Sequence, residues 1–473
     1  MIGQALPPDD FNLDTIQRIH LIGIGGIGVS AVARLLMARG HIVTGSDVRE
    51  SCITQALRAE GAIVTIGHAA KNVEGANVVV VSTAIPDTNP ELGAARERGI
   101  PVVHRSKVLQ ALMKGRVSIG VTGTNGKGTV SAMIAFLLDA AGKTPSFAIG
   151  GMLTDFGTNA REGKGRHLVC ELDESDGSFT NTWPTRMVVV NLEADHLNYY
   201  KDLDGLLSRF SDYFASEQSP RYLHVNGDDP NLTTVLARSK RTAVTFGERP
   251  GCTYRLLETV SEGMGARFHL VGPSGDLGWF SLSLPGRYNV HNAAAALSVV
   301  IEEGLDVETI RTALPRFCGI ENRFTLVSAG NLTVVKDYTS HPTGIRGVID
   351  GARTFSKGRI VAVFKPYRFT MIHYLQNEYT TAFHGADLAV VTEMYTAGEV
   401  PIANVDTPWL VDKIRSAGSE VIYVPRIDDI QTALLDRVVD GDTVVFFGGD
   451  DLFRVADEFV AEVAMRTRGQ ANP

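Results

Sequence analysis

The sequence predicts an α/β fold with mainly parallel sheets flanked by helices, and three observations carry that prediction. Short β-branched runs alternate with helix-compatible stretches almost throughout. Two of these strands run straight into glycine-rich turns followed by helices. At about 150 residues per domain, the 473-residue chain has room for roughly three such units.

The elements follow in order. Residues 19–23, 42–45 and 78–82 read as buried strands, with the apolar residues of 29–39 suited to a helix. This first set ends around 101–107, and a second opens at Arg116. Residues 118–122, 168–172 and 187–192 are its strands, and 129–141 its first helix. The stretch 242–284, with short alternating runs and many glycines, reads as a β-rich annex to the middle domain. After an Ala-rich helix near 293–300, the chain breaks again around 315–319, and strands resume at Thr325 and 332–335. The expected domains are therefore 1–106, 107–318 and 319–473.

Composition narrows the function classes. Hydrophobic residues at 44% and charged residues at 21% suffice for ordinary cores and argue against a disordered chain. Lys+Arg 45 against Asp+Glu 53 gives a net charge of −8, which argues against a general binder of nucleic acid or anionic membrane. Cys52, Cys170, Cys252 and Cys318 form no CxxC pair, so neither a disulfide framework nor a zinc knuckle is expected. Residues 1–14 have no basic flank and no apolar core, unlike a secretory signal. The apolar runs at 76–85 and 187–192 are too short to span a bilayer, which takes about 20 apolar residues. A cytoplasmic protein, monomeric or weakly dimeric, is expected, with no nucleic-acid or membrane partner.

The first glycine loop is Gly23-Ile24-Gly25-Gly26-Ile27-Gly28-Val29-Ser30, in which Gly23, Gly25 and Gly28 fit G-x-G-x-x-G. Glycine permits the tight turn and lets backbone approach a diphosphate at a helix N-terminus. Asp47, nineteen residues after Gly28, could accept hydrogen bonds from a ribose. The pattern leaves open a dinucleotide, another nucleotide, or a tight turn without ligand, so a dehydrogenase is one hypothesis.

The second loop is Gly123-Thr124-Asn125-Gly126-Lys127-Gly128-Thr129, again between a strand and a helix. Backbone amides and a lysine there suit β- and γ-phosphates. It departs from G-x-x-x-x-G-K-[ST]: Val121 stands at the first glycine position and Gly128 at that of the hydroxyl, leaving Thr129 as the nearest one. Acids follow the neighbouring strands, Glu171, Asp173, Glu174 and Asp176 after one, Glu193, Asp195 and His196 after the other. In a parallel sheet the carboxyl ends of all strands share one edge, so Glu174 and His196 would join Lys127 there. Hard oxygen donors with a phosphate suit Mg²⁺. Asp173, Asp176 and Asp195 are equally explicable as helix caps.

These segments resemble one family, the Mur ligases of peptidoglycan synthesis. GTNGKGT resembles their G-T-x-G-K-[ST], ELDESD their E-A-D-E-S-D, and NLEADH their N-I-E-A-D-H. GRYNVHNAAAA at 286–296 is similar to their G-x-H-N-x-x-N-A-x-A-A, and HLIGIGGIGVS, GSD and VVVVSTAIPDTNPEL fit members acting on UDP-N-acetylmuramate. The resemblance implies a Rossmann-like N-terminal domain, a P-loop ATPase-like central domain and a Rossmann-like C-terminal domain that closes over both. It implies a UDP-sugar at Gly23, Gly25, Gly26, Ile27, Gly28, Ser30, Asp47, His68 and Ser82. It implies ATP at residues 123–129, at Asn292 towards the adenine, and at Arg323 and Asp337. Mg²⁺ would be held by Thr129, Glu174 and His196, and Lys127, Glu174, His196 and Arg323 would be catalytic.

The implied reaction is ATP-dependent amide formation between UDP-N-acetylmuramate and a small amino acid, L-alanine by default. Oxide is too poor a leaving group for direct attack on a carboxylate. Phosphoryl transfer from ATP supplies an acyl phosphate, which an amine then displaces. A nicotinamide enzyme has no use for a second phosphate loop with Mg²⁺, which disfavours the dehydrogenase.

The amino-acid end departs from the family. Its D-D-Y-x-H-H-P-T-E reads here Lys336-Asp337-Tyr338-Thr339-Ser340-His341-Pro342-Thr343-Gly344, and its Q-P-H-R-Y-T-R reads Lys365-Pro366-Tyr367-Arg368-Phe369-Thr370-Met371. Arg368 remains for an amino-acid carboxylate, with Ser340 and His341 beside it in the implied site. Two other readings stay open: a specialised paralogue using another amine or acceptor, and a non-catalytic nucleotide-sugar sensor.

Overall fold

The computed structural model describes residues 11–470. Residues 1–10, which hold most of the segment read as lacking a secretory signal, lie outside the described residues. Among the described residues no helix is long and apolar enough to cross a membrane. All four cysteines are free, and burial pushes the Cys170 thiol up to about 12. The chain divides into two compact units, residues 1–192, 207–253 and 295–313 in one, and 193–206, 254–294 and 314–473 in the other.

The first unit opens with β1 (Arg18–Ile22), α1 (Ile27–Ala38), β2 (Ile42–Asp47), α2 (Cys52–Ala59), β3 (Ile63–Ile66), β4 (Val78–Val81), α3 (Pro90–Glu97), β5 (Val102–His104) and α4 (Arg105–Met113). The strands form a parallel sheet in the order β3-β2-β1-β4-β5. All four valines of β4 are buried, as a strand covered on both faces requires. Strand order reverses between β1 and β4, so the crevice outside their carboxyl ends is where such a sheet receives a ligand.

The chain continues through β6 (Val117–Thr122), α5 (Lys127–Ala140), β7 (Ser146–Leu153), β8 (Thr158–Arg161), β9 (His167–Glu171), β10 (Arg186–Val189), α6 (Leu197–Tyr200), α7 (Leu203–Ala215), β11 (Tyr222–Asn226), α8 (Pro230–Ser239) and β12 (Val244–Gly247). Within the first unit the sheet order is β12-β11-β10-β6-β9-β7-β8, parallel except for β8. β6 thus lies between β9 and β10, which puts the segments after those two strands on either side of the second glycine loop. β9 has the expected five residues, displaced by one position, whereas β10 is shorter than its apolar run suggests. Leu172 and Val190 still donate to Val121 and Thr122 carbonyls at 2.8 and 3.0 Å, but there the chain turns away to the loop.

In the second unit, β13 (Tyr254–Glu262), β14 (Gly265–Gly272) and β15 (Gly275–Leu282) form an antiparallel meander. Alternate residues Ala266, Phe268 and Leu270 of β14 are buried, with Phe268 stacked on Phe280 at 5.6 Å. This is the β-rich stretch that the glycines and alternation foretold, and it is counted with the second unit. α9 (Arg287–Glu302) and α10 (Val307–Ala313) lead to β16 (Thr325–Ala329), β17 (Leu332–Asp337), α11 (Pro342–Arg353), β18 (Ile360–Phe364), α12 (Phe369–Tyr374), α13 (Gln376–Thr381), β19 (Leu388–Val391), α14 (Thr407–Ser416), β20 (Val421–Tyr423), α15 (Ile430–Leu435), β21 (Thr443–Phe447) and α16 (Asp450–Gln470). The sheet order is β16-β17-β21-β18-β19-β20, with β16 alone antiparallel. Successive residues of β21 serve opposite faces: Val445 and Phe447 join one core with Phe364 and Phe383, Val444 and Phe446 the other with Val363 and Phe459. Each such buried side chain stabilises the fold by about 1.5–3 kcal/mol.

Candidate active site

In the first glycine loop, the Gly23 and Ile24 amides both donate to the Ser46 carbonyl, at 2.8 and 3.0 Å, and Gly23 takes φ 73°. Asp47 accepts from the Gly25 amide at 2.9 Å, and a Cβ at Gly25 would lie 2.9 Å from that same carboxylate oxygen. Only glycine lets these strands approach so closely. Gly26 starts α1 without a side-chain cap, so the amides of Ile27 and Gly28 have no acceptor from their own helix. His68 Nδ1 stands 3.0 Å from Ser46 Oγ and 3.4 Å from Glu91 Oε1. Ser82, partly exposed, follows β4 at the same sheet edge. Ser30 is fully buried; its hydroxyl donates to the Ile27 carbonyl at 2.9 Å and accepts from Asn159 Nδ2 at 3.2 Å. Ser30 is thus engaged by the protein itself.

Glu91 is the hub beneath this loop. Ser46, Asn72 and the Ala69 amide donate to it at 2.6, 2.6 and 3.3 Å, and His20 Nε2 lies 3.3 Å away. Burial pushes this carboxyl up, but its bonds to His20, Ser46 and Asn72 prevail and hold it at about 2. The Asn-Pro-Glu turn of sequence carries no sign of this role beyond an Asn89 cap on α3.

The second loop is clamped by Asn191, just past β10. Its side chain accepts from the Asn125 amide at 2.8 Å and donates to the Asn125 carbonyl at 2.9 Å, while its own carbonyl accepts from the Thr124 amide at 3.0 Å. A Cβ on Gly123 (φ 128°) would meet that carbonyl at 2.7 Å. Gly126, at φ 88°, begins α5 without a side-chain cap, and Asn125 Nδ2 is buried with no partner in the protein. Lys127 Nζ donates to Glu174 Oε1 at 2.8 Å and to the Gly123 carbonyl at 2.6 Å. Glu174 is 2% exposed, and Thr122 Oγ1 lies 3.5 Å from its other oxygen. Burial works to lower the Lys127 pKa, but Glu174, with Glu171 and Asp173 behind it, raises it above the ordinary value. Gly128 and Thr129 follow in the first turn of α5.

Among the described residues no three His, Cys, Asp or Glu side chains converge as a ready metal cage. Glu174 nonetheless fits Mg²⁺, which commonly binds through one or two carboxylates and takes its remaining oxygens from phosphate and water.

The second unit gathers Asp195, His196, Tyr367, Arg368, Met371 and Tyr374 around a narrow cavity of about 20 Å³. Two of these residues carry left-handed backbones, His196 at φ 53° and Arg368 at φ 62° and ψ 135°. Such conformations persist where surrounding structure imposes them. The Arg368 amide donates to the Tyr395 carbonyl at 2.9 Å, its guanidinium lies 4.9 Å from the Tyr367 ring, and its Nε is buried without a partner. His341 is 5% exposed and caps α11 through Nδ1, with Nε2 3.4 Å from the Ala194 carbonyl. The Ser340 carbonyl accepts from Tyr379 at 2.6 Å. Asp337 accepts from the Phe324 and Thr339 amides at 2.9 and 2.8 Å and stands 3.9 Å from Arg323; burial nevertheless raises its pKa. Asn292, 3% exposed, bonds Asn289 at 3.2 Å. His341 and Asp337 therefore brace their own turns.

This arrangement has counterparts of known class. The profile "Mur ligase family, catalytic domain" matches residues 18–117, "Mur ligase middle domain" residues 121–300, and "Mur ligase, glutamate ligase domain" residues 322–449. The chain is 38% identical over 458 residues to the UDP-N-acetylmuramate–L-alanine ligase of Myxococcus xanthus, covering 96% of this chain and 97% of that protein. It is 38% identical to the ligase of the same name from Bradyrhizobium diazoefficiens, covering 92% and 95%. A UDP-N-acetylmuramate-alanine ligase structure from Thermotoga maritima superposes with a TM-score of 0.80 at 28% identity, over 94% of this chain and 98% of that one. A murein peptide ligase from Psychrobacter arcticus shares the fold, at TM-score 0.69 and 22% identity over 95% and 99%. Two clamped glycine loops and profile matches to all three segments lead to one conclusion: the chain belongs to the Mur ligase family.

Proposed function

We propose that this Mur ligase joins a small amino acid, L-alanine by default, to the carboxylate of UDP-N-acetylmuramate in peptidoglycan precursor synthesis, with ATP converted to ADP. The observation that carries the reading is the Lys127–Glu174 pair, 2.8 Å apart at an uncapped helix N-terminus, in a chain 38% identical to ligases of that name. Residues 1–106 take the UDP-sugar, 107–318 the ATP and 319–473 the amino acid. The protein works in the cytoplasm as a monomer or weak homodimer.

The first loop holds the UDP diphosphate on the amides of Ile27 and Gly28, with Asp47, His68 and Ser82 alongside. In the second, Lys127 and the α5 amides cradle the β- and γ-phosphates. Lys127 then faces the charge that develops as the γ-phosphoryl group leaves for the sugar's carboxylate, and Arg323 adds a second cation. Glu174, Thr129 and His196 would hold Mg²⁺, whose charge offsets that of the phosphoryl oxygens when bound. Arg368 holds the amino acid by its carboxylate, so that its free amine displaces phosphate from the acyl phosphate through a tetrahedral intermediate.

ADP release with UDP-N-acetylmuramate and a panel of amino acids tests this. Turnover with L-alanine is expected. A second reading, a relative using a different amine, is favoured by Met371 lining the cavity beside Arg368 where family members carry another arginine. Turnover only with another amine selects it, and no turnover with any amine leaves a nucleotide-sugar sensor.

A further inference from the structure

Arg105 is the first residue of α4, where the helix dipole disfavours a cation. Two contacts explain its place. Its Nη2 donates to Asp173 Oδ2 at 2.7 Å. Its Nη1 lies against the first glycine loop, 3.1 Å from where a Cβ on Gly28 would stand. The guanidinium therefore occupies space that Gly28 leaves open, beside the uncapped N-terminus of α1.

Asp173 is not free to move alone. Its other oxygen accepts from the Ser175 amide at 3.0 Å, and its carbonyl accepts from the Phe179 amide at 3.2 Å. It is joined by one peptide to Glu174, the partner of Lys127. The segment after β9 thus divides its acids. Glu174 faces the second loop, while Asp173 meets Arg105 and Asp176 accepts from Thr83 Oγ1 at 2.8 Å. α4 is tied to the same region, since Asn181 donates to Ser106 at 3.0 Å and the Trp183 amide to Gln110 at 2.6 Å. Gly28, Arg105, Asp173, Glu174 and Lys127 form one continuous line between the two glycine loops.

We propose that Arg105 is a positioning residue that couples occupancy of the first loop to the setting of Glu174 and Lys127 at the second. A diphosphate on the α1 amides would stand beside Nη1 and fix the guanidinium, leaving Nη2 locked on Asp173. The segment carrying Glu174 is then held more rigidly in the arrangement it already has, and the second ligand binds more tightly. By linkage, ATP tightens the first ligand by the same factor. This rests on the reading of the first loop as the UDP-sugar site and the second as the ATP site.

The test is calorimetric titration of the full chain with Mg²⁺ and AMP-PNP, without and with saturating UDP-N-acetylmuramate, for the wild type, Arg105→Ala and Asp173→Asn. The quantity read is the ratio of the two AMP-PNP Kd values within each protein, so a general loss of affinity cancels. The wild type is expected to show tightening of about five-fold or more, and both variants a ratio near one. A wild-type ratio near one, or a wild-type ratio retained in both variants, overturns the coupling. Failure of either ligand to bind the wild type on its own overturns instead the assignment of the loops.

Discussion

Lys127 and Glu174 hold each other at 2.8 Å, with the carboxylate 2% exposed and the ammonium pressed onto the Gly123 carbonyl. Neither charge is well hydrated, so each depends on the other. On the proposed reading, a nucleotide entering this loop would meet a lysine already oriented by Glu174 and the Gly123 carbonyl, and would have only to replace part of that hold.

Removing one partner should therefore have two separable effects. Lys127→Ala is expected to lower ADP formation by about 10²–10³-fold, while UDP-N-acetylmuramate binding measured by calorimetry stays near wild type. Equal loss of both would detach the second loop from ATP. The same variant should melt at lower temperature, because the buried Glu174 carboxylate loses its 2.8 Å ion pair with Lys127. A Lys127→Met, Glu174→Gln double variant should regain part of that stability.

Asn191 gives a second measurement. Its side chain makes both bonds to Asn125, so Asn191→Ala releases the loop without touching a charge. The expected result is a rise of about ten-fold in the KM for ATP, from one to two lost hydrogen bonds, with the amino-acid KM unchanged. A fall in kcat with no change in the ATP KM would show that the clamp does not preorganise the loop.

Arg368→Ala should raise the amino-acid KM by about 10–100-fold, the worth of a charge-assisted pair, and leave the ATP KM alone. Steady-state kinetics with each substrate varied in turn checks this. A uniform effect on both would take Arg368 out of the amine site.

Glu91 predicts an acid limb of stability. Held at about 2 against an ordinary 4.5, its carboxylate adds stability that is complete above pH 4.5 and lost as pH falls towards 2. Thermal melts of the wild type and Glu91→Gln should differ by on the order of 2–3 kcal/mol at pH 7. The gap should narrow progressively below pH 4.5. A gap that stays constant down to pH 3 would mean that the shape of Glu91, not its charge, matters.

Much of this architecture was legible from local pattern. The strand–turn–helix order around Gly23–Gly28 and Gly123–Gly126 is written in adjacent residues, because glycine spacing and β-branched runs act over a few positions. The partners of those loops were not. Asn191, Arg105 and Glu91 make these contacts with residues 66, 77 and 71 positions away in sequence, and no periodicity marks such pairings. Ser30 shows the opposite limit. Its place in the loop motif implies a ligand, yet the helix turns it towards Asn159, from a different sheet. Asp337 and His341 sit in a family-like segment, but their side chains are engaged in bracing backbone turns.

The backbone at Arg368, φ 62° and ψ 135°, is one that glycine adopts readily and arginine does not. Folding alone would favour Gly there, and Arg368→Gly should relieve part of the about 1–3 kcal/mol stored in the turn. That the chain carries its largest cationic side chain at this spot makes the position a trade of rigidity against reach. A glycine here would ease the backbone while removing the guanidinium on which the proposed amino-acid site depends.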